Sequence, residues 1–190
     1  MLDFTAEMLR STGYRDLKVI DIAREAGTSP ATFYQYFPDV EAAILVLAEQ
    51  MARDGHRLSA LIREGSWRGK DGLATATRLC DAFLEFWDEY RSILRVMDLA
   101  TEEGDRRFHQ IRTRLLNEVT VALSETIGHF QDDGRQAQGP DPTATAAVLV
   151  SMLAHVAAHQ YGFEFWGIRT KDLRASMARQ IYWGVTGKRP

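Results

Sequence analysis

Apolar residues recur three and four positions apart along almost the whole chain, and nowhere do they alternate with polar ones as a half-buried strand requires. The pattern predicts an all-α protein of about nine helices. Leu2 to Ser11 forms the first, with Leu2, Ala6 and Leu9 on one face and Gly13 ending it. Val19, Ile22, Ala23 and Ala26 make a second, shorter stripe that leaves Asp21, Arg24 and Glu25 to solvent. Gly27 stands where a helix commonly ends in a left-handed residue. Thr28 or Ser29 can cap the next helix, and Pro30 suits its first position, where no N–H is needed. In that third helix Phe33 and Phe37 share a face, whereas Ala31, Thr32 and Gln35 point away with Tyr34 and Tyr36 beside them. Two short helices, a glycine turn and a polar outer face make the layout of a DNA-reading helix-turn-helix.

Beyond Pro38 the helices lengthen. Asp39 can cap a helix running to about Arg63 on a stripe of Ile44, Leu47, Ala48, Met51, Leu58 and Leu61, with Gly55 inside it at a cost of about 1 kcal/mol. A glycine-rich loop over 64–72 precedes a helix from Leu73 to Tyr90, and a short one follows over Arg91 to Ala100. Phe108 to Phe130 carries the next, a polar linker spans Gln131 to Pro142, and Thr143 to Trp166 and Asp172 to Val185 complete the chain. The expected organisation is a three-helix head over residues 1–38 and a helical bundle over 39–190, with 39–64 as the connecting helix.

Composition changes this picture little. With 45% hydrophobic residues among 190, the chain can bury a sizeable core. A net charge of −3 gives no general attraction to nucleic acid, so DNA binding must come from a local surface. The single cysteine, Cys80, sits among Leu79, Phe83 and Leu84 and reads as a buried, inert thiol. No apolar run is read as reaching transmembrane length and no signal peptide is evident, which predicts a cytoplasmic protein without a membrane partner.

Candidate chemistry is sparse. His155 and His159 share a helix face, but Val156 stands where a zinc protease needs glutamate, and no third ligand is evident. No phosphate-binding loop, nucleophile elbow or carboxylate pair stands out, so neither an enzyme nor a metal or other cofactor is expected. The aromatic clustering is more informative. Phe83, Phe86, Trp87, Tyr90, Met97, Phe108, Met152, His155, His159, Phe163 and Trp166 come from helices that could converge on an apolar effector or fill a plain core. The last two helices combine alanines with large apolar groups, as a homodimer interface would.

The residues Ile22-Ala23, Ala26-Gly27, Ser29, Thr32, Tyr34, Tyr36-Phe37 and Glu41 make the chain resemble the TetR family of bacterial transcriptional regulators. The signature lies between Leu2 and about Ala48. The resemblance implies a homodimer with an N-terminal DNA-binding domain and a C-terminal effector-binding and dimerising domain. It implies repression of a palindromic operator, relieved by a small hydrophobic ligand. By similarity, Lys18 and Thr28 lie near phosphates, Pro30, Ala31, Thr32 and Gln35 face base edges, and Tyr34 and Tyr36 contact either. Ser29, at the helix start, belongs to the same DNA surface. Phosphate contacts position the protein and base contacts specify the sequence. One position departs: Val40 stands where the family commonly has a lysine, which removes a phosphate contact. The competing readings are a DNA-binding regulator with a solid C-terminal core and no small-molecule effector, and a helical enzyme or carrier built on the aromatic residues.

Overall fold

The computed structural model describes residues 1–133 and 139–188, and these contain ten α-helices and no strand. They are α1 (Leu2–Ser11), α2 (Val19–Glu25), α3 (Pro30–Tyr36), α4 (Val40–Asp54), α5 (His56–Glu64), α6 (Gly69–Glu89), α7 (Arg91–Glu102), α8 (Arg106–Asp132), α9 (Pro142–Phe165) and α10 (Thr170–Thr186), with a 3₁₀ turn at Tyr14–Asp16. The all-α expectation holds. The single helix expected from Asp39 to Arg63 is two, α4 and α5, parted at the buried Gly55. Asp39 caps α4 as expected, its Oδ1 accepting the Ala42 N–H at 2.7 Å. Residues 134–138 of the expected polar linker lie outside the described residues.

The chain forms two compact units, each drawn from separate stretches. The first joins Met1–Asp54 to Tyr90–Arg114, and the second joins Gly55–Glu89 to the chain from Leu115 on. In the first, α1 packs on α4, α2 and α7, while α2 packs on α3 and α4 on α7. Leu9, Ile22, Phe33, Ile44, Leu47, Met51, Leu94, Met97 and Phe108 are among its buried residues. Ion pairs bind its surface: Arg15 with Glu103, Arg114 with Glu49, Arg112 with Asp98 at 2.7 Å and Arg107 with Glu41 at 2.7 Å. The chain break at Pro38 is therefore not where packing ends. Helix α4 packs on both α1 and α7, and its Ile44, Leu47 and Met51 are buried.

In the second unit α6 packs on α5, α9 and α10, and α9 packs on α10. Its buried residues include Leu58, Ile62, Trp67, Leu79, Phe83, Phe86, Val119, Leu123, Leu153, Met177 and Ile181. Trp67 keeps its one donor satisfied, Nε1 giving a hydrogen bond to the Ile62 carbonyl at 2.9 Å. Cys80 is fully buried, and burial pushes its thiol from an ordinary value of 9.0 up to about 12, with Asp81 adding to the shift. The native state thus keeps a proton that the unfolded chain releases. Below the unfolded value this contribution to stability is complete; it is lost as pH rises toward the folded value. Cys80 is expected to resist a thiol reagent at pH 8 in buffer and to react at once in urea; rapid labelling of the native chain would contradict the burial.

Helix α9 corrects one expectation. It is 24 residues long, with a mean hydropathy of 1.3 in its most apolar window, enough by length and composition to cross a membrane, and only 33% of that window is buried. The first charged residue after Asp141 is Glu164, and scattered alanines, histidines and a serine conceal the length of the uncharged run. A core or interface helix of a bundle passes the same test.

Candidate nucleic-acid interface

Local chemistry fixes the helix-turn-helix. Gly27 has φ of 64°, and its N–H and that of Thr28 donate back to the carbonyls of Arg24 at 3.1 Å and Ala23 at 2.8 Å, closing the end of α2. A Cβ at Gly27 meets nothing within 4 Å, so only the backbone angle opposes a side chain there. Gly27→Ala is therefore expected to destabilise the first unit by about 1–2 kcal/mol, the cost of a left-handed L-residue, read as a lower urea midpoint with an unchanged slope. Of the two capping candidates, Ser29 is the cap: its Oγ accepts the Thr32 N–H at 3.1 Å and lies 3.0 Å from the Thr32 hydroxyl.

Phe33 anchors α3 from behind. It is wholly buried, with Phe37 at 5.4 Å in a tilted arrangement and the edge of Tyr34 at 6.0 Å. What this leaves outside is the expected reading surface. Tyr34 is 56% and Tyr36 67% exposed, and Ser29, Pro30, Ala31 and Gln35 are exposed with them. Thr28 and Thr32 are half-buried, and Lys18 is exposed at the N-cap of α2.

Lys18, Pro30 and Tyr34 meet in an open cleft of about 750 Å³, which Tyr14, Arg15, Asp39, Val40 and Glu41 also line. Thr28, Ser29, Ala31, Thr32, Gln35 and Tyr36 belong to the exposed face of α3 beside it. Arg15 escaped the sequence reading because it lies in the 3₁₀ turn before the motif; its only signal was a second cation three residues ahead of Lys18. The acidic edge of the cleft is partly neutralised. The Arg107 guanidinium bridges Asp105 at 2.6 Å and Glu41 at 2.7 Å, and its hydrogen bonds hold the Asp105 carboxyl well below the usual carboxylate range. Burial, then a hydrogen bond shared with Asp105, pushes the Glu41 carboxyl up. Burial and the Glu41 charge raise the Tyr14 phenol as well.

The eleven effector candidates divide between the units. Tyr90, Met97 and Phe108 belong to the first, and Phe83, Phe86, Trp87, Met152, His155, His159, Phe163 and Trp166 to the second. Phe83 stacks on Trp87 at 5.6 Å, and Phe86 lies tilted on it at 5.9 Å. Phe83, Phe86, Met97 and Phe108 are all 0% exposed, which leaves no water-sized void beside any of them. By contrast Trp166, His155 and His159 are exposed, and Met152 and Phe163 half-buried.

Residues 1–43 match the family of bacterial regulatory proteins, tetR family, and residues 58–190 match its tetracyclin repressor-like, C-terminal domain. The chain belongs to the TetR family. It is a TetR-type transcriptional regulator with a DNA-binding helix-turn-helix. An uncharacterized HTH-type transcriptional regulator of Haemophilus influenzae is 24% identical to this TetR-family chain over 116 residues, 61% of the chain and 55% of that protein. The match thus spans about half the length of that relative. Among solved structures, the fatty acid degradation regulator FadR from Bacillus halodurans is similar at a TM-score of 0.70 and 17% identity, over 97% of this chain and 93% of that one. FadR from Bacillus subtilis in complex with stearoyl-CoA is similar at 0.69 and 17%, over 98% and 97%. At these identities the two structures speak for the fold.

Proposed function

We propose that this TetR-family regulator is a homodimeric repressor that reads a palindromic operator with α3 of each copy and releases it when an apolar, acyl-chain effector enters the second unit. The observation that carries the DNA reading is α3 itself: Phe33 locks it from behind, and Pro30, Ala31, Tyr34, Gln35 and Tyr36 are left exposed on its outer side. Lys18 flanks it as a phosphate contact, and Arg15 would join it by exchanging its ion pair with Glu103 for a phosphate, in place of the lysine absent at Val40.

The dimer reading rests on α9 and α10. Val148, Tyr161, Phe165 at 89% exposure and Trp166 at 74%, with Ile168 and Trp183, leave several large apolar side chains of the last two helices open to solvent. A second copy would cover it, and two reading heads would supply two half-sites.

The effector class is drawn from the FadR neighbours, one of them seen with stearoyl-CoA. Here Phe83 and Phe86 are wholly buried, so a ligand that reaches them must open the packing around them. It therefore selects a state other than the packed one, and shifts the equilibrium only by its differential affinity. The test is an anisotropy titration of labelled operator with stearoyl-CoA, paired with a titration of stearoyl-CoA binding with and without operator. The expected result is release, with operator weakening acyl-CoA binding by the same factor by which acyl-CoA weakens operator binding. Unchanged operator affinity and an unmoved melting temperature across acyl-CoAs and free fatty acids would instead support a second reading, which the full burial of Phe83 and Phe86 also favours: a DNA-binding regulator with a solid C-terminal core.

A further inference from the structure

Between the loop that joins α5 to α6 and the C-terminal turns of α8, the second unit holds a cavity of about 290 Å³. None of Phe83, Phe86 and Trp87 lines it, and neither α9 nor α10 contributes a residue. It is therefore apart from the aromatic core and from the face that the dimer reading covers. The loop that forms one wall is fixed in place. Trp67 Nε1 donates to the Ile62 carbonyl at 2.9 Å, and Thr75 Oγ1 donates to the Ser66 carbonyl at 2.7 Å. A Cβ at Gly65 would lie 2.4 Å from Thr75 Cγ2, and one at Gly72 would lie 2.5 Å from the Trp67 backbone, so α6 presses directly on the loop. The indole N–H is spent on this bond, and what Trp67 has left for a ligand is its ring. With Ile62, which is also buried, and the half-buried Phe130, it gives the cavity an apolar and partly aromatic floor. The rim is cationic. Arg63, Arg68 and His129 line it, with Asp133 as the one carboxylate. Arg63 is paired, its Nε 3.4 Å from Glu125, and Asp133 has an interaction of its own. Among the described residues, neither the Arg68 guanidinium nor the Ser66 hydroxyl has a hydrogen bond or ion pair.

We infer that this cavity binds a small aromatic carboxylate, with Arg68 as its counter-ion and the rings of Trp67 and Phe130 against its own. A guanidinium presents a planar fork of N–H donors that matches the two oxygens of a carboxylate, and Arg68 is the rim cation left without a partner. The Ser66 hydroxyl can donate to the same group. A flat ring suits a floor of aromatic faces and edges, where stacked or edge-on contact adds to the apolar area buried. Volume limits the rest of the ligand. Water takes about 30 Å³ in the liquid, so a cavity of about 290 Å³ holds on the order of ten non-hydrogen atoms, a single ring with its carboxylate. A long acyl chain with its coenzyme does not fit. The rigid loop means that the site exists before the ligand arrives, so little ordering opposes binding.

The test titrates full-length protein with sodium benzoate, followed by saturation-transfer NMR on the benzoate ring protons. Wild type is expected to bind saturably, and Arg68→Gln to bind about tenfold or more weakly, as the loss of a charge-assisted pair implies. Benzamide keeps the shape without the charge, and acetate keeps the charge without the ring. In competition with benzoate each should be weaker by about tenfold or more, since each lacks one half of the recognition. Arg95→Gln removes an exposed guanidinium from the first unit and lowers the net charge equally, so it should match wild type. Arg68 is exposed, so Arg68→Gln should melt with wild type in buffer, and benzoate should raise the wild-type melting temperature the more. Wild-type affinity in Arg68→Gln, or an equal loss in Arg95→Gln, would overturn the assignment. So would no binding by wild type at about 10 mM benzoate, where a millimolar site is mostly filled. The titration contains neither DNA nor acyl-CoA, so its failure leaves the operator and acyl-chain readings standing, and theirs leaves this site standing.

Discussion

Phe33→Ala is expected to destabilise the reading head strongly and to weaken operator binding, although Phe33 itself does not face the DNA. The side chain is fully buried and holds α3 against the first unit. Its truncation removes a ring's worth of contacts and leaves a cavity, at a cost of about 3–5 kcal/mol. Domains of this size have about 5–15 kcal/mol in all, so the unfolded fraction rises by two orders of magnitude or more. Urea denaturation followed by far-ultraviolet circular dichroism reads the loss. Phe33→Leu should recover much of it, since volume and apolar character are largely kept. If Phe33→Ala melted within 1 kcal/mol of wild type, about the error of mild surface changes, the buried anchor would not be what fixes α3.

The second large effect separates reading from folding. Replacing Tyr34 and Gln35 together by alanine removes two exposed side chains and is expected to leave the denaturation curve within about 0.5 kcal/mol of wild type. Operator affinity should nevertheless fall roughly a hundredfold, because a bidentate base contact alone is worth about 1–3 kcal/mol. The two contributions can be told apart by salt. Gln35→Ala should relax selection at one base position and keep the salt slope, whereas Arg15→Ala or Lys18→Ala should weaken all sequences alike and reduce the slope by about one counterion. Retained affinity in the double variant would remove α3 from the interface.

The helix-turn-helix was legible because its determinants are local. Gly27, Ser29 and Pro30 act within a few residues of one another, and the structure shows the left-handed turn, the cap and the helix start that they specify. What sequence did not show is tertiary. Gly55 was seen as costly inside a helix, yet only the fold shows that the chain parts there into α4 and α5. Nothing in the spacing of α7 announces that it covers α1 and α4, or that Arg107 and Arg114 at the start of α8 pair with Glu41 and Glu49. Apolar stripes reveal a buried face but not its neighbour. For that reason Met97 and Phe108 were grouped with Phe83 and Phe86, although the structure places the two pairs in different units. The same limit hid α9, whose apolar surface is buried on one side and open on the other.

Recovery of bound fragments from a library of the source genome's DNA, at low and at moderate salt, tests the proposed operator recognition most directly. Purified full-length protein is expected to enrich fragments sharing one palindrome, with half-sites one or more helical turns apart and binding that weakens as salt rises. Enrichment of a sequence without two-fold symmetry, or no enrichment even at low salt, would contradict a dimer reading its operator through α3.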